Sequence, residues 1–165
     1  MNHSETESTA LGCELAGEVV STFGEVCLRV SGASMVPSIH PGDLISVHRA
    51  NLSDISAGEI ALYLREGRLF AHRVVARGGN PESPYLILRG DRHRHNDPPV
   101  SPSELLGRVQ WIERGHRRLE AGARLGMWQR MIAMLLRSSN RATYLYLRVE
   151  ARRRKFFTGR AECRV

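Results

Sequence analysis

Short runs of alternating apolar residues, each closed off by Gly, Pro, Ser or Asn, fill the stretch from residue 17 to residue 113, and this punctuation is what most limits the fold. In residues 17–30 (GEVVSTFGEVCLRV), Val26, Leu28 and Val30 share one side of a possible strand. Asp43 to Val47, Glu59 to Leu64, Arg68 to Val75 and Tyr85 to Leu88 are strand-like, the last introduced by the turn signal NPESP. Gly107 to Glu113 reads as a closing strand. Many short strands with turns between them predict a compact, mainly β domain over residues 15–114, preceded by a polar segment, 1–14.

From Leu119 the period changes. Met127, Trp128, Met131, Ile132, Met134, Leu135 and Leu136 recur at spacings of three and four with Arg124, Arg130 and Arg137 between them, which predicts an amphipathic helix within a C-terminal tail, 115–165. A second short helix is expected over ATYLYLRVEARRRKFF. Charge divides at the same place. Residues 1–110 carry 10 Arg against 13 Asp and Glu, whereas residues 111–165 carry 14 Lys and Arg against 4 Glu, a net of +10. The apolar face and its arginines fit either packing against the core or attachment to anionic lipid, and the run Arg152, Arg153, Arg154, Lys155 beside Phe156 and Phe157 adds to the second. Nucleic acid is the less favoured partner.

No run approaches the roughly 18 apolar residues of a membrane span, and no secretory signal is readable at the N-terminus. Cys13, Cys27 and Cys163 form no C-x-x-C and no even framework, so free thiols and a cytoplasmic or peripheral location are expected. His40, His48, His93 and His95 include one H-x-H but no matching ligand set at zinc spacing. Neither a metal nor a cofactor is expected.

The chemistry concentrates in Val30 to Asp43, VSGASMVPSIHPGD. Ser34 lies among the small residues Gly32 and Ala33, where backbone N–H groups can face a developing oxyanion and a substrate chain can lie close. Downstream come His72-Arg73-Val74-Val75, then Gly90-Asp91 and Asp97. In this order the motifs Gly32-Ala33-Ser34-Met35-Val36-Pro37, Pro41-Gly42-Asp43, His72-Arg73 and Gly90-Asp91 resemble those of the type I signal peptidase family, related to the LexA-like self-cleaving peptidases, over about residues 28–110.

The resemblance implies a LexA/signal-peptidase-like β fold and a serine endopeptidase acting on precursor or leader peptides with small residues before the cut. Ser34 takes the place of the nucleophile, with its own N–H and the backbone at Gly32 at the oxyanion hole and Met35 and Pro37 beside the substrate. Bacterial members activate the serine with a lysine, but the single lysine of this chain, Lys155, lies outside the matched region. The position falls to His72, as in the archaeal and endoplasmic-reticulum branch, with Asp97 as its acidic partner and Asp91 in support. An imidazole, with an ordinary pKa of about 6.5, can accept a hydroxyl proton near neutrality without strong desolvation. Two features depart from the pattern: Gly32 brings no hydroxyl to the oxyanion hole, and no apolar anchor helix is readable. Ala16-Gly17 resembles the bond LexA-like proteins cut in themselves. It stands only 18 residues before Ser34, with no room ahead for a helix-turn-helix, which disfavours a self-cleaving repressor. The rival reading from another class is a non-catalytic peptidase-fold module that binds membrane or nucleic acid through its basic tail.

Overall fold

The computed structural model describes residues 3–122, 126, 131–134, 136 and 143–149. Helix α1 (His3–Phe23) leads into seven strands: β1 (Glu25–Arg29), β2 (Leu44–Arg49), β3 (Ile60–Arg65), β4 (Arg68–Asn80), β5 (Ser83–Arg89), β6 (Leu105–Arg114) and β7 (Arg117–Glu120). They form one antiparallel sheet in the order β1-β2-β6-β3-β4-β5, with β7 paired to β6. The architecture is mainly β, as the strand pattern predicts.

Strand β3 shows why the sheet can carry a core on both sides. Successive side chains of a strand point to opposite faces. Ile60 and Leu62 join a cluster with Met35, Ile39, Ile45, Val47, Val109 and Ile112, while Ala61 and Tyr63 join another with Leu52, Ile55, Val74, Leu86, Leu88 and Val100. Being buried on both faces, β3 is the rigid centre of the sheet, and β4 pairs along it with His72 opposite Ala61 and Arg73 opposite Ile60. The β4–β5 hairpin turns at Asn80, whose side-chain oxygen accepts the Ser83 N–H at 2.7 Å.

Two elements differ from the expectation. Residues 3–23, read as a polar segment followed by the start of a strand-like run, are helical, and α1 crosses the expected boundary at residue 14. Over its described side chains, residues 12–23, Ala16 and Val20 are buried and Gly17 lies against Leu106, while Leu15 and Phe23 are exposed. Two buried positions in that half are too few to register as a helical stripe. The helix stops at Gly24, whose φ of 81° only glycine adopts freely and whose N–H reaches the Val20 carbonyl at 3.0 Å. Strand β7 continues the sheet beyond residue 114. All four of its residues are exposed, so no alternation marks it, although Arg118 stacks over the Trp111 ring at 4.4 Å from its centroid.

Within the tail, residues 131–134, 136 and 143–149 are helical. Ala133, Leu136 and Thr143 are buried, whereas Met131, Met134, Tyr144, Leu145 and Val149 are exposed. Tyr146 stacks on buried His40 and its hydroxyl lies 3.1 Å from the His40 Nε2. Met127, Trp128, Arg130, Leu135 and the basic run at 152–157 lie outside the described residues.

Candidate active site

The loop from Ser31 to Pro41 is held at both ends. Val30 N–H donates to the Asp43 carbonyl at 2.9 Å and Gly42 N–H to the Val30 carbonyl at 2.7 Å, which closes its base. The Asp43 carboxylate, fully buried, accepts the His40 N–H at 2.8 Å and the Arg114 guanidinium at 2.8 Å, while Arg114 also donates to the Ser38 carbonyl. The Pro41-Gly42-Asp43 motif is therefore the loop's lock. Within the loop, Met35, Val36, Pro37 and Ile39 are buried. Met35 sits in the first core cluster, so the side chains expected beside a substrate serve in this structure as the loop's apolar anchor. Anchoring both flanks leaves little freedom to Ser34.

Ser34, half-buried, meets the imidazole of β4: its Oγ lies 2.9 Å from His72 Nε2. His72 is 3% exposed, and its Nδ1 lies 2.6 Å from Asp97 Oδ2. A hydroxyl, an imidazole and a carboxylate thus form one continuous chain. Tyr63 and Phe70 pack against His72 at ring-centroid distances of 6.1 and 6.0 Å, and His93 meets it edge-on at 5.3 Å.

Asp97 is placed from two directions. Its N–H donates to the Leu88 carbonyl at 2.8 Å, and the prolines that follow are held by Arg65, which donates to the Pro98 and Pro99 carbonyls at 3.3 and 2.8 Å. Arg65 also bonds Glu104 at 2.6 Å, and this bond holds the Glu104 carboxyl down at about 2. Burial, aided by the neighbouring Asp97 charge, pushes the Tyr63 phenol well above its usual range, so it stays protonated. Burial and the adjacent His72 hold His93 below the ordinary histidine value.

Asp91 has a different place. It makes a forked pair with Arg73, at 2.8 and 2.9 Å, and accepts the Ser38 hydroxyl. Arg73 further donates to Ser38 Oγ at 3.0 Å and to the carbonyls of Gly58 and Gly122 at 2.6 and 3.1 Å. This buried knot ties the serine loop, β4 and the segment after β7 together without touching the imidazole. Between the two carboxylates, Arg92 N–H donates to the Ser34 carbonyl at 3.0 Å. Gly90 permits that approach, because a Cβ there would come within 2.9 Å of the same carbonyl oxygen. The Ser34 N–H itself donates to no partner among the described residues, and the space where a Gly32 Cβ would stand is open.

The Peptidase S24-like family model matches residues 3–109, about two thirds of the chain and all of the serine, histidine and carboxylate motifs. The chain belongs to the Peptidase S24-like family. The mainly β sheet agrees with that membership, and the resemblance to the LexA and signal peptidase superfamily holds at this level. A comparison with curated proteins finds no match. In this Peptidase S24-like chain Ala16-Gly17 lies within α1, with Ala16 buried, so this bond is helical rather than extended. Among the described residues no helix is long and apolar enough to cross a membrane.

The sequence motifs name Ser34, His72, Asp97 and Asp91 but not their second layer. Tyr63, Arg65 and Ser38 escaped attention because each acts through a contact across the fold, and His93 was weighed only as part of an H-x-H pair. Only the position of His93, between the two aspartates, hinted at a place near the site.

Proposed function

We propose that this chain is a serine endopeptidase of the histidine-using kind, similar to the archaeal and endoplasmic-reticulum signal peptidases, with precursor or leader peptides as its substrate class. The observation that carries the reading is the unbroken Ser34–His72–Asp97 chain, with contacts of 2.9 and 2.6 Å. In the proposed reaction Ser34 Oγ attacks the scissile carbonyl carbon while its proton passes to His72 Nε2. Asp97 holds the Nδ1 proton, fixes the tautomer and stabilises the imidazolium. The oxyanion is met by the Ser34 N–H, with no side-chain donor from Gly32. As the C–N bond breaks, His72 returns its proton to the departing amine and an ester to Ser34 remains. Water, deprotonated by His72, then attacks the ester carbon, and as the C–O bond to Ser34 breaks His72 returns that proton to Ser34 Oγ, releasing the acid product and the free serine.

A library of extended peptides incubated with the wild type and with Ser34→Ala and His72→Ala tests this. Cleavage after small residues, slowed by roughly a thousandfold or more in both variants, is expected. Equal cleavage by all three proteins would remove the assignment.

The exposed Met131, Met134, Leu145 and Val149, in a region of net charge +10, support a further part of the proposal: the tail docks the enzyme on an anionic membrane surface. Co-sedimentation with vesicles containing phosphatidylserine should be strong at low salt, weak at high salt, and lost on deletion of residues 123–165. Salt-independent or absent binding would contradict it. A binding module without catalysis would retain this docking and have no use for the assembled hydroxyl, imidazole and carboxylate.

A further inference from the structure

His93 has no part in the proposed reaction, yet it stands edge-on to His72 with ring centroids 5.3 Å apart and ring planes at 83°. His72, His93 and Asp97 each place one possible ligand atom within 4.8 Å of the others. Two imidazoles and a carboxylate are a donor set suited to a borderline cation such as Zn²⁺, whose bonds of about 2.0–2.2 Å bring tetrahedral ligands to roughly 3.3–3.5 Å from one another. His93 is only partly buried and sits on a loop, and for the three to share one cation its ring must turn inward, with the 2.6 Å His72 Nδ1–Asp97 contact opening if that nitrogen is the ligand. A cavity of about 470 Å³, lined by residues 92–98 and Leu136, brings solvent to His93 and Asp97, with His72 behind them.

We propose that the active centre is also a binding site for a divalent transition cation of the zinc class, held by His72, His93 and Asp97, and that its occupation silences the enzyme. The silencing follows from the ring's two nitrogens, both of which are engaged. A cation on Nδ1 requires the tautomer whose single proton sits on Nε2 rather than on Nδ1 beside Asp97, and Nε2 then cannot accept the Ser34 proton. A cation on Nε2 takes that lone pair directly. Either way the base is lost. Arg92 and Arg94 line the same cavity and oppose a dication, so affinity is expected on the order of micromolar rather than nanomolar.

The silencing rests on the peptidase reading, whereas the binding does not, and the experiment separates them. Zinc chloride is titrated calorimetrically into Ser34→Ala, which keeps all three ligands. One saturable site is expected. Adding His93→Ala should weaken it by about tenfold or more, while adding His95→Ala, an imidazole outside the set, should leave it unchanged. In the wild type, zinc should stop peptide cleavage and EDTA restore it, and His93→Ala should need about ten times more zinc relative to its own zinc-free rate. Unaltered binding in the His93→Ala variant, or no saturable binding up to about 1 mM zinc, would overturn the site. Zinc binding without any peptide turnover would keep the site and remove the peptidase reading. Turnover with no zinc binding would do the reverse.

Discussion

Two neighbouring residues of β4 face two carboxylates of one loop, and the two pairs do different work. His72 meets Asp97, whose side chain is 15% exposed and borders an open cavity; Arg73 meets Asp91, which is 3% exposed and closed in by Ser38. The carboxylates are chemically alike, so the difference lies in their partners. A guanidinium stays protonated at any working pH and grips a carboxylate with a fork, which suits a permanent clamp. An imidazole gains and loses its proton near neutrality, and a carboxylate on its far nitrogen orients it without freezing it. Alternation along a single strand places the imidazole on one side and the guanidinium knot on the other.

If that division is right, substitutions at the two aspartates should fail in opposite ways. Asp97→Asn should lower peptide turnover by roughly 10³ to 10⁴ while shifting the urea midpoint little, because the wrong tautomer is favoured but the packing remains. Asp91→Ala should cost about 3 to 5 kcal/mol of stability in urea unfolding, since it strands the Arg73 charge in a part-buried site. A large stability loss at Asp97 or a purely kinetic loss at Asp91 would break the comparison.

Smaller effects sharpen it. Gly90→Ala, between the two carboxylates, should cost roughly 1 to 3 kcal/mol and slow turnover as well, because its Cβ must push the Ser34 carbonyl away from the Arg92 N–H. Unfolding and turnover measured on the same preparation would show both losses, and an effect on neither would contradict that account.

Glu104, which steadies the Asp97 side through Arg65, is tested by pH. Its folded carboxyl lies at about 2 against an ordinary 4.5, so its contribution is complete above about 4.5 and lost as pH falls towards 2. Glu104→Gln should therefore lower stability by roughly 1 to 2 kcal/mol at neutral pH, after solvent screening of a partly exposed pair, with the deficit shrinking across that acid window. Urea midpoints at several pH values check the sign; a deficit that grows on acidification would refute it.

Much of this comparison could be read before the fold was known. The strands with alternating apolar residues announce themselves because burial on one or both faces dictates composition, as Ile60 to Leu64 in β3 illustrates. Ser34 stood out by its small neighbours, and His72 and Asp97 were legible through the resemblance of their motifs, in order, to those of the signal peptidase family. Helix α1 was hidden because only Ala16 and Val20 need to be apolar on its described packed face, and β7 because all its residues are exposed. The resemblance already set Asp97 beside His72 with Asp91 in support. What it left unread was the partnership of Asp91 with Arg73 and Ser38, which is made across the fold.

The central claim is that the Ser34 hydroxyl, driven by His72 and Asp97, forms an acyl-enzyme. An activated ester such as p-nitrophenyl acetate tests it without knowledge of the natural substrate. Intact mass and peptide mapping should show one acetyl group on Ser34 in the wild type, slower labelling in Asp97→Asn and none at that position in His72→Ala over the same time. Labelling confined to other residues, or equal rates in all three proteins, would contradict the account.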